Sequence, residues 1–181
     1  MTTTAQPSLF PRGSATWGPP GDASSLWRLT LRRPFGVGPR VAFVMLNPSK
    51  ATEDVNDPTV RRCVGYAQRW GFGELVVVNL FAFRATDPAD LLKAVRVHGL
   101  DFAIGLGNDD AIQLAAAGSK RVVAAWGTLG CVGGRGRAVA RLLRRSGREL
   151  ECLKTTKQGD PAHPLYLRAD LTPKPWSPSN D

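Results

Sequence analysis

Cysteine, histidine and long apolar runs are scarce in this chain of 181 residues. The three cysteines, Cys63, Cys131 and Cys152, lie far apart, and their spacing matches neither a structural zinc site nor an iron–sulfur cluster. No apolar run approaches the ~20 residues that a membrane-spanning helix needs. We therefore expect reduced thiols, no metal or other cofactor, and no membrane partner.

The N-terminus lacks the basic start and apolar core of a secretory signal, so we expect a cytoplasmic protein. Residues 1–24 are rich in Thr, Ser, Pro and Gly, residues 172–181 are rich in Pro, and neither segment is periodic. The chain is long enough for one domain of ordinary size. These features predict a monomer with a disordered segment over residues 1–24, a single α/β domain over residues 25–171 and a flexible tail.

Acidic residues are scarce in the C-terminal part of the chain. Residues 1–118 hold 12 basic and 10 acidic side chains, whereas residues 119–181 hold 12 and 5, and the net charge is +9. A basic surface favours a polyanionic partner, and nucleic acid is the commonest one. The alternative is an arginine-rich composition that serves only solubility.

Short apolar runs alternate with helical patterns along the chain. Helices are expected to begin at Asp57-Pro58 and Asp87-Pro88, because Asp caps helices and Pro suits the first turn. Another is expected to begin at Asn108, because the acidic residues that follow it suit the helix dipole. A fourth, basic helix is expected over residues 137–146. Buried strands are predicted over residues 40–46, 75–80, 121–126 and 149–154.

This alternation predicts an α/β protein with three layers, in which helices cover both faces of a central, mainly parallel, four-stranded sheet. Trp27, Leu29 and Leu31 alternate with polar residues, which predicts a half-exposed edge strand over residues 25–32. We expect this strand to pair antiparallel with the strand at residues 40–46.

Polar residues stand where the predicted parallel strands end. Asn79 directly follows three valines, and Asn47 follows the run that ends at Leu46. Because ligands of open α/β sheets bind beyond the carboxyl ends of the strands, these tails are expected to converge on one crevice. The converging residues are Asn47, Asn79, Trp126, Gly127 and His163.

Simpler interpretations stay open for Asn47 and His163. Asn47-Pro48 is ordinary turn chemistry, and a loop histidine before Pro is more often structural than catalytic. A purely structural interpretation fits Asn79 less well, because a buried amide without hydrogen-bond partners costs about 1–3 kcal/mol. The glycine-rich stretch over residues 130–136 matches neither the P-loop nor the dinucleotide-binding pattern.

Two resemblances follow from these motifs. Over about residues 26–176 the chain resembles a bacterial domain family of unknown function. The motifs that carry this likeness are Leu46–Ser49 (LNPS), Asp57–Arg62 (DPTVRR), Asn79–Thr86 (NLFAFRAT), Ala125–Gly127 (AWG) and the stretch that includes His163–Leu167 (HPLYL). This likeness brings no assigned activity.

The chain also distantly resembles the uracil-DNA glycosylase superfamily. Leu46-Asn47-Pro48 is similar to its first-strand motif, and Val76–Leu80 to its base-recognising strand. Val122–Gly127 is similar to its third strand, and His163-Pro164 to its His-Pro-Ser motif. Leu165 stands where that superfamily has Ser.

The resemblance implies a DNA glycosylase-like hydrolase that binds a flipped base and cleaves its N-glycosidic bond. It implies catalytic roles for Asn47 and His163, and base binding by Asn79 with stacking on Phe81 or Trp126. It further implies nucleic-acid contacts, with DNA favoured over RNA, from Ser49, Lys50, Arg84, Gly127, Leu165 and Tyr166. The alternatives are a non-catalytic nucleic-acid or nucleotide-binding protein of the same fold and an N-glycosidase of free nucleosides or nucleotides.

Overall fold

The computed structural model describes residues 13–18 and 25–178. The strands among these residues are β1 (Ser14–Trp17), β2 (Arg28–Pro34), β3 (Arg40–Met45), β4 (Glu74–Asn79), β5 (Arg121–Ala124), β6 (Leu150–Cys152) and β7 (Lys174–Trp176). The α-helices among them are α1 (Pro58–Arg69), α2 (Pro88–His98), α3 (Leu100–Ile104), α4 (Asn108–Ala117) and α5 (Arg135–Arg145). Two 3₁₀ segments cover Thr128–Gly134 and Pro164–Tyr166.

All described strands join one mixed sheet of seven strands in the order β1-β2-β4-β3-β5-β6-β7. The four central strands, β4, β3, β5 and β6, run parallel to one another. The outer strands are antiparallel to their neighbours: β2 pairs with β4, β1 pairs with β2, and β7 pairs with β6. The expectation of a mainly parallel four-stranded sheet is therefore wrong, although the protein is α/β.

Strand β2 does not pair with β3, as the sequence led us to expect, but with β4, where Leu31 is opposite Val77. The cause is the loop after β2, which crosses the start of β4. The backbone amides of Phe35 and Gly36 both donate to the Gly73 carbonyl, at 2.9 and 3.0 Å. A Cβ on Gly73 would lie 2.5 Å from the Gly36 oxygen, so glycine permits this close crossing. Strand β3 consequently enters the sheet on the far side of β4.

Both segments expected to lack structure contribute an outer strand. Strand β1 lies within residues 1–24 and β7 within residues 172–181. With only four and three residues, these strands are too short for a period-two pattern to mark them, and both adjoin proline-rich sequence. Residues 1–12, 19–24 and 179–181 lie outside the described part of the chain.

Helices cover both faces of the sheet and leave a buried core on each. Strand alternation sends Phe43, Val77 and Val123 to one face, where they pack on helix α1. The neighbouring positions Val44, Val78 and Ala124 pack with the other helices on the opposite face. None of the described helices is long and apolar enough to cross a membrane.

The predicted helix starts are confirmed where the signal was a capping aspartate before proline. Asp57 accepts from the Val60 amide at 2.8 Å, and Asp87 accepts from the Ala89 amide at 2.8 Å. Helix α4 begins at Asn108, as expected. Helix α5 begins two residues before the expected position, at Arg135.

Substituting Gly130 by Ala is predicted to destabilise the protein. A Cβ there would lie 2.5 Å from Trp126 Nε1 and closer still to Cδ1 of that buried indole. Forced overpacking of this kind typically costs about 1–3 kcal/mol of unfolding free energy, measurable by urea denaturation. Gly65→Ala in α1 is the control, because its nearest neighbour would be 3.7 Å away and the change is expected to be neutral or stabilising. Equal effects of the two substitutions would contradict the packing explanation.

Candidate functional site

A cavity of about 330 Å³ opens at the carboxyl ends of β3 and β4, between the sheet and the start of helix α1. We call it the site cavity. Six of the residues predicted from sequence line it, namely Asn47, Ser49, Asn79, His163, Leu165 and Tyr166. Residues from three distant parts of the sequence therefore meet at this end of the sheet. Arg28, Asp57 and Thr59 also line it.

Asn79 is the last residue of β4 and is 1% exposed. In the parallel ladder it is opposite Met45, and alternation sends it to the same face as Val77. Its side-chain nitrogen Nδ2 is buried and has no hydrogen-bond partner. A buried amide donor without a hydrogen-bond partner is energetically costly. A ligand that supplied an acceptor to this donor would therefore be favoured.

Polar side chains from the other face of the sheet hold this end of β4 in place. Asn108 Nδ2 donates to the backbone carbonyls of Asn79 and Leu80, at 3.0 and 3.1 Å. Arg135 Nε donates to the Leu80 carbonyl at 2.9 Å. The backbone of Asn79 is thus fixed by partners that leave its own side chain uncommitted.

Asn47 is bound to the loops that surround the site cavity. Its Nδ2 donates to the carbonyls of Pro48 and Ala85, at 3.0 and 2.8 Å. Both amide protons are therefore used: one within the loop after β3, and the other to join that loop to the loop after β4. The remaining polar atom, Oδ1, can only accept a hydrogen bond.

His163 caps the 3₁₀ segment Pro164–Tyr166 and faces the site cavity. Its Nδ1 accepts from the Leu165 amide at 3.4 Å, which assigns the ring proton of the neutral form to Nε2. Burial lowers the pKa of His163 below its ordinary value of 6.5, and the nearby carboxylate of Asp57 opposes this shift. At neutral pH the ring is therefore an uncharged donor.

Two charged residues of the site cavity were missed from the sequence. Asp57 was identified only as a helix cap, and its cap uses one carboxylate oxygen, leaving the other for the cavity. Arg28 was expected to be solvent-facing on an edge strand, but it is 2% exposed because β2 lies inside the sheet. Burial lowers the pKa of Arg28 to about 10, with Asp57 opposing, so the guanidinium stays charged at neutral pH. The only sequence signal for Asp57 was its place in the motif Asp57–Arg62; for Arg28 there was none.

The structure places Trp126 away from the site cavity. Phe43, Val77 and Val123 share a face, so Trp126 points to the opposite face from Asn79. Trp126 is 2% exposed and lines a separate cavity of about 530 Å³, where its ring meets Trp176 edge-on at 5.3 Å.

Four other predicted residues are not among those lining the site cavity. Phe81 is fully buried in the core beneath the helices α2 to α5. Lys50 is exposed. Arg84 donates to the Ser25 carbonyl at 3.1 Å and lies 4.9 Å above the ring of Trp17, so it fastens the N-terminal strand to the domain. Gly127 adjoins the site, since a Cβ there would lie 3.8 Å from that of His163.

Comparison with protein families gives a match to a described family. A family described as "Protein of unknown function (DUF1643)" matches residues 28–165, well over half of the chain. The chain belongs to this family. Its description assigns no activity, in line with the family of unknown function expected from the motifs. A search of curated proteins and a search of solved structures each gave no match.

A basic groove adjoins the site cavity along helix α1. Its lining residues are Pro58, Arg61, Arg62, Gly65, Arg69 and Leu165, and Leu165 also lines the site cavity. Arg61, Gly65 and Arg69 follow one another at four-residue intervals and so share one side of the helix. Arg61 and Arg69 are exposed. Because Gly65 has no side chain, the groove between the two cations stays open.

The basic groove is on the opposite side of the sheet from helix α5, where much of the C-terminal positive charge resides. Arg141, Arg144 and Arg145 are exposed on α5 and do not line the site cavity. Among residues 13–18 and 25–178 there is no group of three or more His, Cys, Asp or Glu side chains placed to hold a metal ion.

We predict that His163 makes stability depend on pH. Burial lowers the pKa of His163 in the folded protein, so the unfolded chain binds its proton more readily. The stability that His163 contributes is complete above its unfolded pKa near 6.5 and is lost as the pH falls through the folded value. Between about pH 7.5 and about pH 5.5, wild type should therefore lose more unfolding free energy than His163→Asn, measured by urea denaturation.

His98→Asn is the matched control, because His98 is exposed at the end of α2. This variant should follow the wild-type pH curve. A His163→Asn curve identical to that of wild type would refute the assignment of a buried, neutral imidazole.

Proposed function

We propose that this protein is a DNA glycosylase-like hydrolase that holds a flipped nucleobase in the site cavity and cleaves its N-glycosidic bond. The observation that supports this best is the buried, unpartnered Nδ2 of Asn79 in a cavity that Asn47 and His163 also line. An amide offers one acceptor and two donors, which can match the edge of a base. A DNA substrate is consistent with the expected cytoplasmic location.

His163 is proposed to stabilise the departing base. Its Nε2 proton can donate to an oxygen of the base on which negative charge develops. A neutral imidazole can fill this role, because its Nε2–H donates a hydrogen bond to the developing oxyanion without transferring the proton. The lowered pKa of His163 keeps the ring in that state at neutral pH.

Asn47 is proposed to position the attacking water, and Asp57 is proposed to deprotonate it. Asp57 is the one carboxylate among the residues that line the site cavity, and its second oxygen can accept a proton from water. Oδ1 of Asn47 can hold that water but cannot deprotonate it. In the reaction the water oxygen bonds to C1′ of the sugar, the C1′–N bond breaks with its electron pair leaving on the base, and the water proton passes to Asp57.

The basic groove is proposed to hold the DNA backbone next to the flipped base. Arg61 and Arg69 supply two exposed cations at helical spacing, and phosphates bind such cations with release of counterions. Tyr166, which is 84% exposed at the rim of the site cavity, and Leu165 are placed to enter the space that a flipped base leaves.

A second candidate function is nucleotide or nucleic-acid binding without catalysis. The hydrogen bonds from Asn47 Nδ2 to the Pro48 and Ala85 carbonyls favour it, since they commit both amide protons of this residue to the protein's own loops. Only the glycosylase would turn over a substrate, whereas both functions would require Asn79 for binding.

The decisive prediction is base release from DNA. Labelled oligonucleotides carrying uracil, hypoxanthine, mismatched thymine, or oxidised and modified cytosines would be incubated with the protein and treated with alkali to break abasic sites. We expect Asp57→Asn to lower the rate about 10²- to 10⁴-fold, the range for loss of a general base. Binding should survive, because Asn also caps helices. Asn47→Ala and His163→Ala should also lose product.

Asp87→Asn is the matched control, because Asp87 caps α2 in the same way and is not among the residues that line the site cavity. It should keep wild-type turnover. Absence of product on every substrate, together with oligonucleotide binding that requires Asn79, would reject the glycosylase in favour of the binding protein.

DNA affinity is predicted to depend on salt through the basic groove. Each phosphate contact contributes about −0.9 to the slope of log affinity against log salt on duplex DNA. Arg61→Gln and Arg69→Gln should therefore each flatten the slope by about 0.9, measured by fluorescence anisotropy. Arg141→Gln and Arg144→Gln, on the opposite side of the sheet, are the controls and should leave the slope unchanged. Wild-type binding that ignores salt would point to free nucleosides as substrates.

A further inference from the structure

Arg28 differs from the other buried arginines in two respects: it lines a cavity, and its guanidinium keeps a donor without a partner. Arg28, Arg33 and Arg135 are the buried arginines of the described chain. Arg28 donates from Nη1 to the Ala51 carbonyl, but its buried Nε has no partner. It lines the site cavity, as does Asn79 with its own unpartnered Nδ2.

The other two buried arginines act as structural clamps. Arg33 donates from Nε to Asn56 Oδ1 at 2.6 Å and from Nη2 to two carbonyls of the loop at residues 52–55. Arg135 is paired with Asp109 and donates to the Leu80 carbonyl. Neither lines the site cavity.

Arg28, unlike Arg135, has no carboxylate within ion-pair distance among the described residues, and unlike Arg33 it does not use its Nε in a hydrogen bond. Asp57 is close enough to act on it electrostatically, without a direct bond. A buried cation that is incompletely paired is expensive to maintain, and an anionic oxygen is the group that best compensates it.

We propose that Arg28 is the receptor for an anionic oxygen of the ligand and acts together with the Nδ2 donor of Asn79. The existence of this subsite follows from the two unused donors, whereas the identity of the bound group rests on the proposed function. In glycosidic cleavage the electron pair of the C1′–N bond moves onto the base and is delocalised onto its exocyclic carbonyl oxygens. Arg28 would then stabilise the base most strongly as it departs.

The phosphate of a free nucleotide could supply an anionic oxygen of the same chemistry. A base oxygen becomes negative only as the bond breaks, whereas a phosphate is negative throughout. The two sources therefore differ in whether inorganic phosphate alone binds to the cavity.

The test measures binding of free uracil, free hypoxanthine and inorganic phosphate by calorimetry to wild type, Arg28→Gln and Arg28→Lys. We expect a base to bind wild type and to bind Arg28→Gln about 10- to 100-fold more weakly, the size of effect for a hydrogen bond to a charged group. Arg28→Lys should restore part of the loss, because it keeps the charge without the Nε donor.

Thermal unfolding without ligand separates this role from a structural one, with Arg33→Gln as the matched buried arginine. Arg28→Gln should keep or raise the midpoint temperature, because it removes an incompletely paired buried charge. Arg33→Gln should lower it by roughly 2–8 °C, because its loop carbonyls lose their donors.

If phosphate binds to wild type and not to Arg28→Gln, the subsite is supported and its ligand is the phosphate of a nucleotide. This result would argue against the proposed glycosylase function. The subsite itself is overturned if no probe binds wild type, if Arg28→Gln binds as wild type does, or if it destabilises the free protein as much as Arg33→Gln. None of the probes contains a glycosidic bond, so this result is independent of the cleavage screen.

Discussion

The end of strand β4 lies inside the protein, and its backbone carbonyls need partners that the sheet cannot supply. Asn108 and Arg135 provide them from the helices on one face, at 2.9 to 3.1 Å. A buried carbonyl left alone would cost about 1–3 kcal/mol. Because these partners approach from one face, the side chain of Asn79 can be presented on the other. The candidate site thus depends on helices that never touch it.

Alternation along the strands divides the carboxyl edge of the sheet into two separate cavities. Asn79 and the residues around α1 form one, and Trp126 with the 3₁₀ segment at residues 128–134 forms the other. A single-residue change of register would exchange the faces of Asn79 and its neighbours. The continuous ladder between β3 and β4, from Arg40 to Met45, fixes the register that brings Asn47 and Asn79 together.

Local signals in the sequence predicted the helix starts and the polar strand ends. Asp57 and Asp87 each precede proline, and Asn79 closes a run of valines, so neighbouring residues suffice to interpret them. The burial of Arg28 could not be predicted from neighbouring residues. It depends on β1 and on the loop after β3, which pack around β2 from elsewhere in the chain. Trp126 was correctly placed at a strand end, but its face follows from the register between strands, which no local pattern encodes. The order of strands in the sheet depends likewise on one crossing, at Gly73.

The outermost described strand on the β6 side, β7, carries a proline at its centre. Pro175 is opposite Glu151 and has no amide proton to offer a further strand. An additional strand from another molecule would leave one of its own carbonyls without a partner at that position. This edge therefore resists growth of the sheet by intermolecular pairing, a common route to aggregation for α/β proteins with open sheets. A three-residue strand that the sequence hardly marks thus protects this edge of the sheet.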